Sequence, residues 1–533
     1  MLRGDFWRRS VATICFSGWW SGLAAVGLGM TLSLLLIGFR MPYWKVADQD
    51  MILAYQALLF NDGKPQVYFD HTGYLSDLAI AAWYQLLHWL GILHAHALSE
   101  LPSPDDPAAY DRAWQALIAS GRVLSLILGA GFVWLFATLT RRLVGDWRIA
   151  IMAAMALAYS GGVAWHIRIM RTELLSAGLE TSALLLMLVA AREPGLRRYL
   201  FVTLGALCAT LAVVAKVQAV LPVLFIPVIV VAFGQGQEAG VRDLSLAGRR
   251  GWMLAVGAVV LAAVAAYPII DLLRLGIAGG MVGYRPLGMG LSGVYQWLIG
   301  LWVTGAVVAY AFIRRTPAAV TVTVLACVAL GVCAGLSSLW IYYNVRNVIA
   351  VANPVEHMFV FASADTAMAQ QTQVLSATLF ATLAAGVGRA LAVHSFVFSP
   401  SGRPTLLLEW FAIGGIAVMW RNGERRPALQ AGLLIVAAWG IDTLFSVRNL
   451  QLPYTVYTDP LLILAAALVL AQFPQLQKIP RVQNAALGLM MIYLVWGHLE
   501  PVRQAITHGH PEDTCLWLKP MLEQLGPFSI CRQ

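Results

Sequence analysis

The sequence contains little charge, because Asp, Glu, Lys and Arg together make up 12% of its 533 residues. A soluble domain carries about twice that share. At the same time 59% of the residues are hydrophobic, and the mean hydropathy is +0.71. These values exclude an ordinary soluble protein. Repeated long apolar runs predict an all-α polytopic membrane protein, since a membrane barrel would instead show alternating segments of about ten residues.

Cysteine is also scarce, with six residues in the chain. Four of them lie in or beside apolar runs, where cysteine packs as a small hydrophobic residue: Cys15, Cys208, Cys327 and Cys333. Cys515 and Cys531 share the polar C-terminal tail. A disulfide between these two stays open and depends on whether the tail faces an oxidising compartment. The tail sequence "HGHPEDTC" fits no standard spacing for a metal site, so we predict none.

Nucleotide-binding motifs are missing too: the chain has no Walker motif, no dinucleotide fingerprint and no G-x-S-x-G elbow. This absence argues against a nucleotide-driven enzyme or pump. We predict no required cofactor and leave a divalent metal ion open. The net charge of +9 does not indicate nucleic acid, because the basic residues fall in short loops between apolar runs. Many of these basic residues form adjacent pairs, namely Arg8/Arg9, Arg141/Arg142, Arg197/Arg198, Arg249/Arg250, Arg314/Arg315 and Arg425/Arg426.

Basic pairs at alternate span ends are typical of the cytoplasmic side. They predict about thirteen spans in a bacterial inner membrane, with the N-terminus cytoplasmic and the C-terminus periplasmic. "RRSVAT" resembles a twin-arginine signal, but the run 18–39 is too long for a signal-peptide core, so we predict a retained first span. The other predicted spans are 116–139, 148–164, 174–191, 199–214, 219–234, 252–270, one ending at "IRRTP", 317–341, 405–420, 428–446, 459–473 and 482–497.

Residues 374–398 are apolar but contain Arg389 and His394. A full span here would invert the sides of the later basic loops, so we favour an interfacial or re-entrant segment. We predict one catalytic membrane module over 1–475, and a last span with a periplasmic tail over 476–533.

The first periplasmic loop, about 40–112, holds two predicted juxtamembrane helices. Met51, Ala54, Tyr55 and Leu58 give the first an amphipathic spacing, and "LAIAAWYQLLHWLGIL" gives the second. Loops rich in acid, His, Tyr and isolated Arg all fall on the non-cytoplasmic side. We therefore expect any chemistry to take place there.

Asp48 and Asp50 head the first of these helices. They can simply cap it as solvated charges. Alternatively, one of them is a general base that takes a proton from an attacking hydroxyl at the membrane face. Asp70 and His71 in "YFDHTGYL" are read most simply as a polar turn before the second helix.

Three further segments place cations on the non-cytoplasmic side. In "WHIRIMRTELL", Arg168 and Arg171 have i, i+3 spacing and are expected to share a helix face, with Glu173, a lipid phosphate or a substrate anion as their partner. Lys216 sits in a tight turn, either as a snorkelling lysine or as a phosphate ligand. Arg448 precedes Tyr454 and Tyr457, which form either an aromatic belt or a second phosphate clamp with sugar-contacting hydroxyls.

The order of these motifs resembles the GT-C membrane glycosyltransferases, and most closely the branch of protein O-mannosyltransferases and lipid A aminoarabinose transferases. "ADQDM" and "FDHTGYL" are similar to that branch's first outer loop, although the branch often has Asp-Glu and His-Pro-Pro there. "HIRIMRTELL" resembles its second acidic motif, with Glu173 in the acidic place. "AKVQAVLP" resembles its Lys-containing turn, and "VRNLQLPYTVYTDP" its late Arg/Tyr loop. The resemblance covers about 15–235 and returns near 445–475.

The resemblance implies a GT-C-like fold and an inverting hexosyl- or pentosyltransferase, mannosyltransferase-like, that uses a polyprenyl-phosphate sugar. The acceptor would be an envelope glycan, lipid or protein, with membrane lipids as the other partner. Asp48 or Asp50 would be the base. The leaving phosphate would be held by Lys216, Arg448, Arg168 and Arg171. Donor or acceptor would be positioned by Glu173, Asp70, His71, Tyr74, Tyr454 and Tyr457.

Two other functions stay open. A transporter or flippase for lipid-linked sugars would show internal repeats and polar residues midway through its spans. We find no repeat, and the polar residues gather at one membrane face. The other alternative is a non-catalytic protein that assembles envelope polysaccharide. We predict the enzyme.

Overall fold

The computed structural model describes residues 18–46, 49–64, 73–234, 248–277, 290–346, 377–395, 403–446 and 452–474, with short pieces between 488 and 515. Regular structure in these ranges is helical throughout, and no strand occurs in them. Seven helices among the described residues are long and apolar enough to cross a membrane, and four shorter apolar helices accompany them. The chain is an all-α, multi-pass membrane protein, as predicted. The count of thirteen spans stays a prediction.

The described helices are numbered in chain order. They are α1 Trp19–Leu36, α2 Asp50–Asn61, α3 Tyr74–Trp89, α4 Pro107–Val144, α5 Trp147–Ala158, α6 Gly161–His166, α7 Thr172–Ala190, α8 Leu196–Ala215, α9 Val220–Phe233, α10 Arg249–Ala265, α11 Tyr267–Ile277, α12 Gly290–Arg314, α13 Ala318–Arg346, α14 Ala377–Ser395, α15 Thr405–Arg421, α16 Arg425–Ser446 and α17 Asp459–Ala471.

Helix α4 is much longer than the span predicted at 116–139. Its 38 residues extend about 57 Å, whereas the hydrocarbon core of a bilayer is about 30 Å thick. Asp106 caps the start of the helix, because its carboxylate accepts a hydrogen bond from the amide of Ala109, and Pro107 fills the first helical position. Hydropathy missed the first two turns, because a helix that leaves the membrane becomes polar without ending.

The extra length of α4 supports a second hydrophobic core, which begins before the predicted span 116–139 and continues to Leu124 within it. This outer core is built from α2, α3 and the start of α4, and it includes Tyr84, Tyr110 and Trp114. The residues from Asp50 to Leu59 on α2 are all buried. The amphipathic helix predicted here is present, but it has no side open to water over these residues, because α3 and α4 pack against it.

The span predicted at 148–164 is broken in the structure. Helix α5 ends at Ala158, and the hydroxyl of Ser160 caps α6 by accepting a hydrogen bond from Val163. Helix α6 then covers only six residues. The sequence stayed apolar through the break, so hydropathy could not detect it.

Packing between α8 and α13 depends on two small residues four apart. A Cβ at Gly331 would lie 2.4 Å from the carbonyl oxygen of Thr203, and one at Gly335 would lie 2.7 Å from Cβ of Thr210. Lipid tails are as apolar as leucine, so helices gain little from hiding apolar surface in a membrane and rely on close contact. Glycine permits that contact here.

Basic residues from distant loops meet at one end of the helix bundle. Arg141 stacks over Trp19, and Arg192 donates to the carbonyl oxygen of Leu143. Arg314 donates to the carbonyl oxygen of Val231, and Arg426 to that of Gly234. We call this the basic end. It agrees with the placement of basic pairs on one side.

Arg122 and two predicted site residues, Glu173 and Lys216, lie near the opposite end of the same helices. At 1.5 Å per residue, Arg122 is about 29 Å from Arg141 along α4, and Glu173 is about 26 Å from Ala190 along α7. Helix α8 ends at Ala215, about 26 Å from Arg198 along the helix, and Lys216 follows directly. Each distance is close to one hydrocarbon thickness. We call this region the site end.

One feature departs from the sequence interpretation, and a second concerns the segment predicted to be interfacial or re-entrant. Glu180 is a buried carboxylate about 10 Å beyond Glu173 along α7, so polar residues do not all gather at one face. Residues 377–395 form one continuous helix, α14, which packs against α16 and is not among the candidate spans.

The cysteines are placed largely as expected. Cys208, Cys327 and Cys333 are free thiols in helices. Cys515 is disulfide-bonded. Cys15 and Cys531 lie outside the described residues.

Candidate functional site

The connector between α6 and α7 holds the two predicted arginines. Helix α6 ends at His166 and α7 begins at Thr172, so Arg168 and Arg171 are not in one helix. The prediction that they share a helix face was wrong. The guanidinium of Arg168 donates to the hydroxyl of Ser33 on α1, whereas Arg171 donates to Glu173. The i, i+3 spacing was misleading because Ile167, Ile169 and Met170 make the connector as apolar as the helices on either side of it.

Glu173 lies between two cations from different segments. Its Oε1 is 2.9 Å from Nη2 of Arg171 and 3.5 Å from Nζ of Lys216. Lys216 ends α8 in an extended conformation, just before a turn of 3₁₀ helix at Val217–Ala219. Glu173 and Lys216 are both buried. The sequence nominated Arg171 and Glu173 from one motif and Lys216 from another, and the structure brings the two motifs together.

Three cations lie in the described part of this region. Arg168, Arg171 and Lys216 are cations, and Glu173 is the carboxylate that contacts two of them. In the part of the chain that the structure describes, Nε and Nη1 of Arg168 have no hydrogen-bond partner although the side chain is 1% exposed. Burial lowers the pKa of Arg168 to about 9, so the group is still charged at neutral pH. A buried guanidinium with unused donors is suited to an anionic ligand.

His166, which sequence analysis passed over, also faces this charge. A carbonyl oxygen can only accept, so Nδ1 of His166 donates to the oxygen of Gly162 at 2.7 Å. Nε2 then carries a lone pair, and within the described residues it has no hydrogen-bond partner. Burial first, and then the charge of Arg171, lower the pKa of His166 to about 4. A neutral imidazole with a free lone pair can accept a hydrogen bond from a hydroxyl.

The late aromatic motif reaches the same region. Residues Leu452–Tyr457 form a 3₁₀ helix that packs on α6 and α7. A Cβ at Gly162 would lie 2.6 Å from the amide nitrogen of Val456, so only glycine allows this approach. Tyr457 is fully buried. Burial first, and then the neighbouring negative charge of Glu173, raise the pKa of Tyr457. Tyr454 is half-buried, and its ring stacks on Phe445 with centroids 5.1 Å apart.

Asp50 is held in a buried ion pair. Its Oδ2 accepts hydrogen bonds from Nε and Nη2 of Arg122, at 3.0 and 2.7 Å. Its Oδ1 accepts from the amide of Met170 at 2.6 Å. Both oxygens are therefore engaged, and the guanidinium favours the charged carboxylate. This geometry suits a residue that fixes α2 and the 167–171 connector to α4 better than it suits a base.

The remaining nominated residues are separate or outside the described ranges. Tyr74 begins α3 and is buried, and burial raises its pKa to about 12. Asp48, Asp70, His71 and Arg448 lie outside the described residues.

A second buried charge network lies where α14, α15, α16 and α17 meet. Nδ1 of His394 is 2.7 Å from Oε2 of Glu409, and its Nε2 is 3.0 Å from Oδ2 of Asp442. Arg403 bridges Asp442 at 2.7 Å and Asp459 at 3.0 Å. We call these five residues the His394 network.

The His394 network adjoins the 3₁₀ helix that carries Tyr457. The hydroxyl of Thr458 accepts a hydrogen bond from Arg403 at 2.8 Å and donates to Asp442 at 2.9 Å. Sequence analysis named His394 only as an interruption and passed over Glu409 and Asp442. The sequence did contain a signal for them. Glu409 lies inside the predicted span 405–420 and Asp442 inside 428–446, and an ionisable residue inside a span is a functional candidate by default.

No family model and no curated protein matches this chain. Two solved structures do, and both are of the oligosaccharyltransferase AglB from Archaeoglobus fulgidus. One is in complex with an inhibitory peptide and a dolichol-phosphate, at 12% identity and a TM-score of 0.43. The other is the apo form, at 13% identity and a TM-score of 0.44. Each match covers 96% of this chain and 60% of the archaeal chain, so this chain spans about 60% of the length of either structure.

Proposed function

We propose that this chain is an inverting glycosyltransferase of the GT-C kind. It moves a hexosyl or pentosyl group from a polyprenyl-phosphate carrier to an envelope glycan, lipid or protein on the periplasmic side of a bacterial inner membrane. The observation that carries the proposal is the meeting of cations from separate segments at the site end. Arg171 and Lys216 contact one carboxylate, Glu173, and the buried Arg168 lies in the same connector as Arg171, about one membrane thickness from the basic end.

The reaction needs such cations. The acceptor oxygen bonds to the anomeric carbon while the bond from that carbon to the phosphate oxygen breaks, and the electron pair leaves with the phosphate. Fixed positive charge in a partly dry site stabilises this developing charge, and a single preorganised contact is worth about 3 kcal/mol. We assign Lys216 and Arg171 to the leaving phosphate, with Arg168 and, from the sequence, Arg448 as further contacts.

The proton of the acceptor hydroxyl must go to a base. We assign that role to Asp48, because both oxygens of Asp50 are engaged by Arg122 and Met170. Asp50 is then a positioning residue. The lone pair of His166 and the hydroxyl of Tyr457 are the hydrogen-bonding groups that we assign to the sugar. Glu173 holds the two cations in place.

The test is mass spectrometry of envelope glycans from a strain without this protein, complemented with variants. We expect a sugar residue to be missing without the protein and restored by the wild type. Lys216→Gln and Asp48→Asn should fail to restore it although the protein inserts normally. Arg148→Gln, an exposed change at the basic end, is the matched control and should restore it fully. Full restoration by Lys216→Gln would contradict the phosphate role.

Glu180 gives specific support to a second candidate, a transporter of lipid-linked sugars. It is buried in the membrane part of α7, next to Thr181, whose hydroxyl lies 3.4 Å from its carboxylate. Buried carboxylates inside spans serve as proton sites in transporters. Purified protein in vesicles separates the two functions. The enzyme transfers sugar to a soluble acceptor without moving the carrier across the bilayer, and the transporter does the reverse.

A further inference from the structure

The geometry points to a transition-metal site on the outer core, formed by His88, His96 and Glu100. We propose that these three side chains bind one divalent first-row transition ion such as Zn²⁺, as a clip between the end of α3 and the turn before α4. The site is independent of the proposed transfer reaction, because none of its residues belongs to the cluster around Glu173.

The three side chains already converge. One potential ligand atom from each lies within 4.8 Å of the others. The rings of His88 and His96 stack with centroids 4.2 Å apart and an interplanar angle of 27°. The ligands of a tetrahedral zinc ion lie roughly 3.4 Å apart at bond lengths near 2.1 Å. The side chains of His96 and Glu100 are 19% and 37% exposed, so they have room to close the difference.

Each imidazole has one nitrogen that can serve as a ligand, Nε2 in His88 and Nδ1 in His96. Nδ1 of His88 contacts the carbonyl oxygen of Leu93 at 3.2 Å, and a carbonyl only accepts, so Nδ1 carries the proton. Nε2 of His88 therefore keeps its lone pair, and a ring that donates through one nitrogen and binds metal through the other is the usual arrangement in metal sites. In His96 the nitrogen that faces Glu100 is Nδ1, at 2.7 Å from Oε2, so a metal ion would take the place of the proton between them.

Glu100 is prepared as the anionic member. Its Oε2 also accepts hydrogen bonds from the amides of His96 and Ala97, at 2.9 and 3.4 Å. In the ranges that the structure describes, no hydrogen bond involves Oε1 of Glu100, which leaves this oxygen for a metal ion.

The backbone around the cluster is fixed from outside it. Asn61, the last residue of α2, donates to the carbonyl oxygen of His96 at 2.9 Å. The hydroxyl of Ser99 donates to Asp62 at 2.6 Å. Two imidazoles and one carboxylate favour Zn²⁺, Ni²⁺ or Cu²⁺ over Mg²⁺ and Ca²⁺, which prefer oxygen ligands. Three protein ligands leave a fourth position for water.

The test uses full-length protein purified in detergent and stripped with a chelator. We expect Zn²⁺ to bind the wild type at one ion per chain and to raise its Tm, with no such rise from Mg²⁺. Co²⁺ should give the visible absorption of a tetrahedral site, and Zn²⁺ should remove it. His88→Gln and His96→Gln should each weaken binding at least about tenfold and abolish the rise in Tm.

The matched control is His94→Gln, because His94 is exposed and lies between the two ligands in the chain. It should bind Zn²⁺ as the wild type does. Equal loss in His94→Gln, or full binding in His96→Gln, would overturn the site. If the tail residues His508 and His510 bind the Zn²⁺ instead, His96→Gln should still bind it fully. The Co²⁺ spectrum of the wild type decides the question if the variants do not fold, since a spectrum without tetrahedral absorption also overturns it.

Discussion

Asp50 has the features that sequence analysis associates with catalysis: it is a carboxylate just outside a span, at the start of a helix. The structure gives it a different set of neighbours. Arg122 is fully buried and also donates to the carbonyl oxygens of Gly38, Met41 and Pro42, so one guanidinium joins α4 to α2 and to the segment that follows α1. A buried pair of this kind contributes little net stability, but losing one member leaves the other charge unpaired.

This pair gives a prediction on stability. Asp50→Asn should destabilise the protein by about 3–5 kcal/mol, because the charge of Arg122 is left buried without its counter-ion. The double variant Asp50→Asn/Arg122→Met should be more stable than the sum of the single effects implies, since it removes both charges. Thermal unfolding in detergent measures all three variants.

An exposed ion pair is the control. Lys64 lies 2.9 Å from Asp62 and its side chain is 50% exposed, so Lys64→Gln should change stability by less than about 1 kcal/mol. If Asp50→Asn unfolds like the wild type but has lost all transfer activity, Asp50 and not Asp48 is the base.

At the scale of elements, the His394 network determines how four helices meet. His394 comes from α14, Glu409 from α15 and Asp442 from α16, while Asp459 begins α17. With His394 neutral, the three carboxylates outnumber the single charge of Arg403. Protonated His394 reduces that imbalance, so the contact between α14 and the rest of the bundle depends on its charge.

This dependence predicts a loss of stability with rising pH. Burial lowers the pKa of His394, but the hydrogen bonds and charges of Asp442 and Glu409 outweigh burial and Arg403, so the pKa lies above its ordinary 6.5. A raised pKa in the folded state means that the stabilisation is complete below pH 6.5 and is lost as pH rises through the folded value. We expect the Tm to fall by a few degrees over that window.

His394→Gln tests the assignment. This variant should have a lower Tm than the wild type at pH 6 and should lack the decrease above pH 6.5. His94→Gln, which is exposed and far from the network in sequence, should keep the decrease. An unchanged pH profile in His394→Gln would assign the transition to another group.

For the whole molecule, the main feature is that its two ends differ in chemistry. Arginines at the basic end contact helix-terminal carbonyls and aromatic rings, as Arg141 does with Trp19 and Arg192 with Leu143. Cations at the site end surround Glu173, and the outer core extends beyond them on α4. A bundle with such ends has a defined orientation in a membrane, because basic loops stay on the cytoplasmic side.

Labelling in intact spheroplasts tests that orientation. Asp105 is exposed just before α4, and Glu424 is exposed between α15 and α16. A membrane-impermeant maleimide should label Asp105→Cys in intact spheroplasts, and Glu424→Cys only after permeabilisation. Labelling of the wild type measures the background from the protein's own cysteines. Labelling of both positions from outside would contradict the two-ended arrangement, and the reverse pattern would contradict a periplasmic site.

The amino-acid sequence by itself determined the class of this protein. Apolar runs require helices in lipid, because no water is available there to satisfy backbone groups, and basic pairs mark one end of those helices. Motif order also nominated Arg171, Glu173, Lys216 and Tyr457, which do meet. Such properties are local, so a pattern along the chain is enough to find them.

Only the tertiary structure decided which charges pair. Arg122 is 72 positions from Asp50, and His394 is 48 positions from Asp442. Hydropathy also continued through the break before α6 and stopped short of the start of α4. A side chain's role depends on neighbours brought from distant segments, and periodicity within one segment contains no information about them. The folded contacts therefore make Asp50 a buried anchor and give His88, His96 and Glu100 their shared geometry.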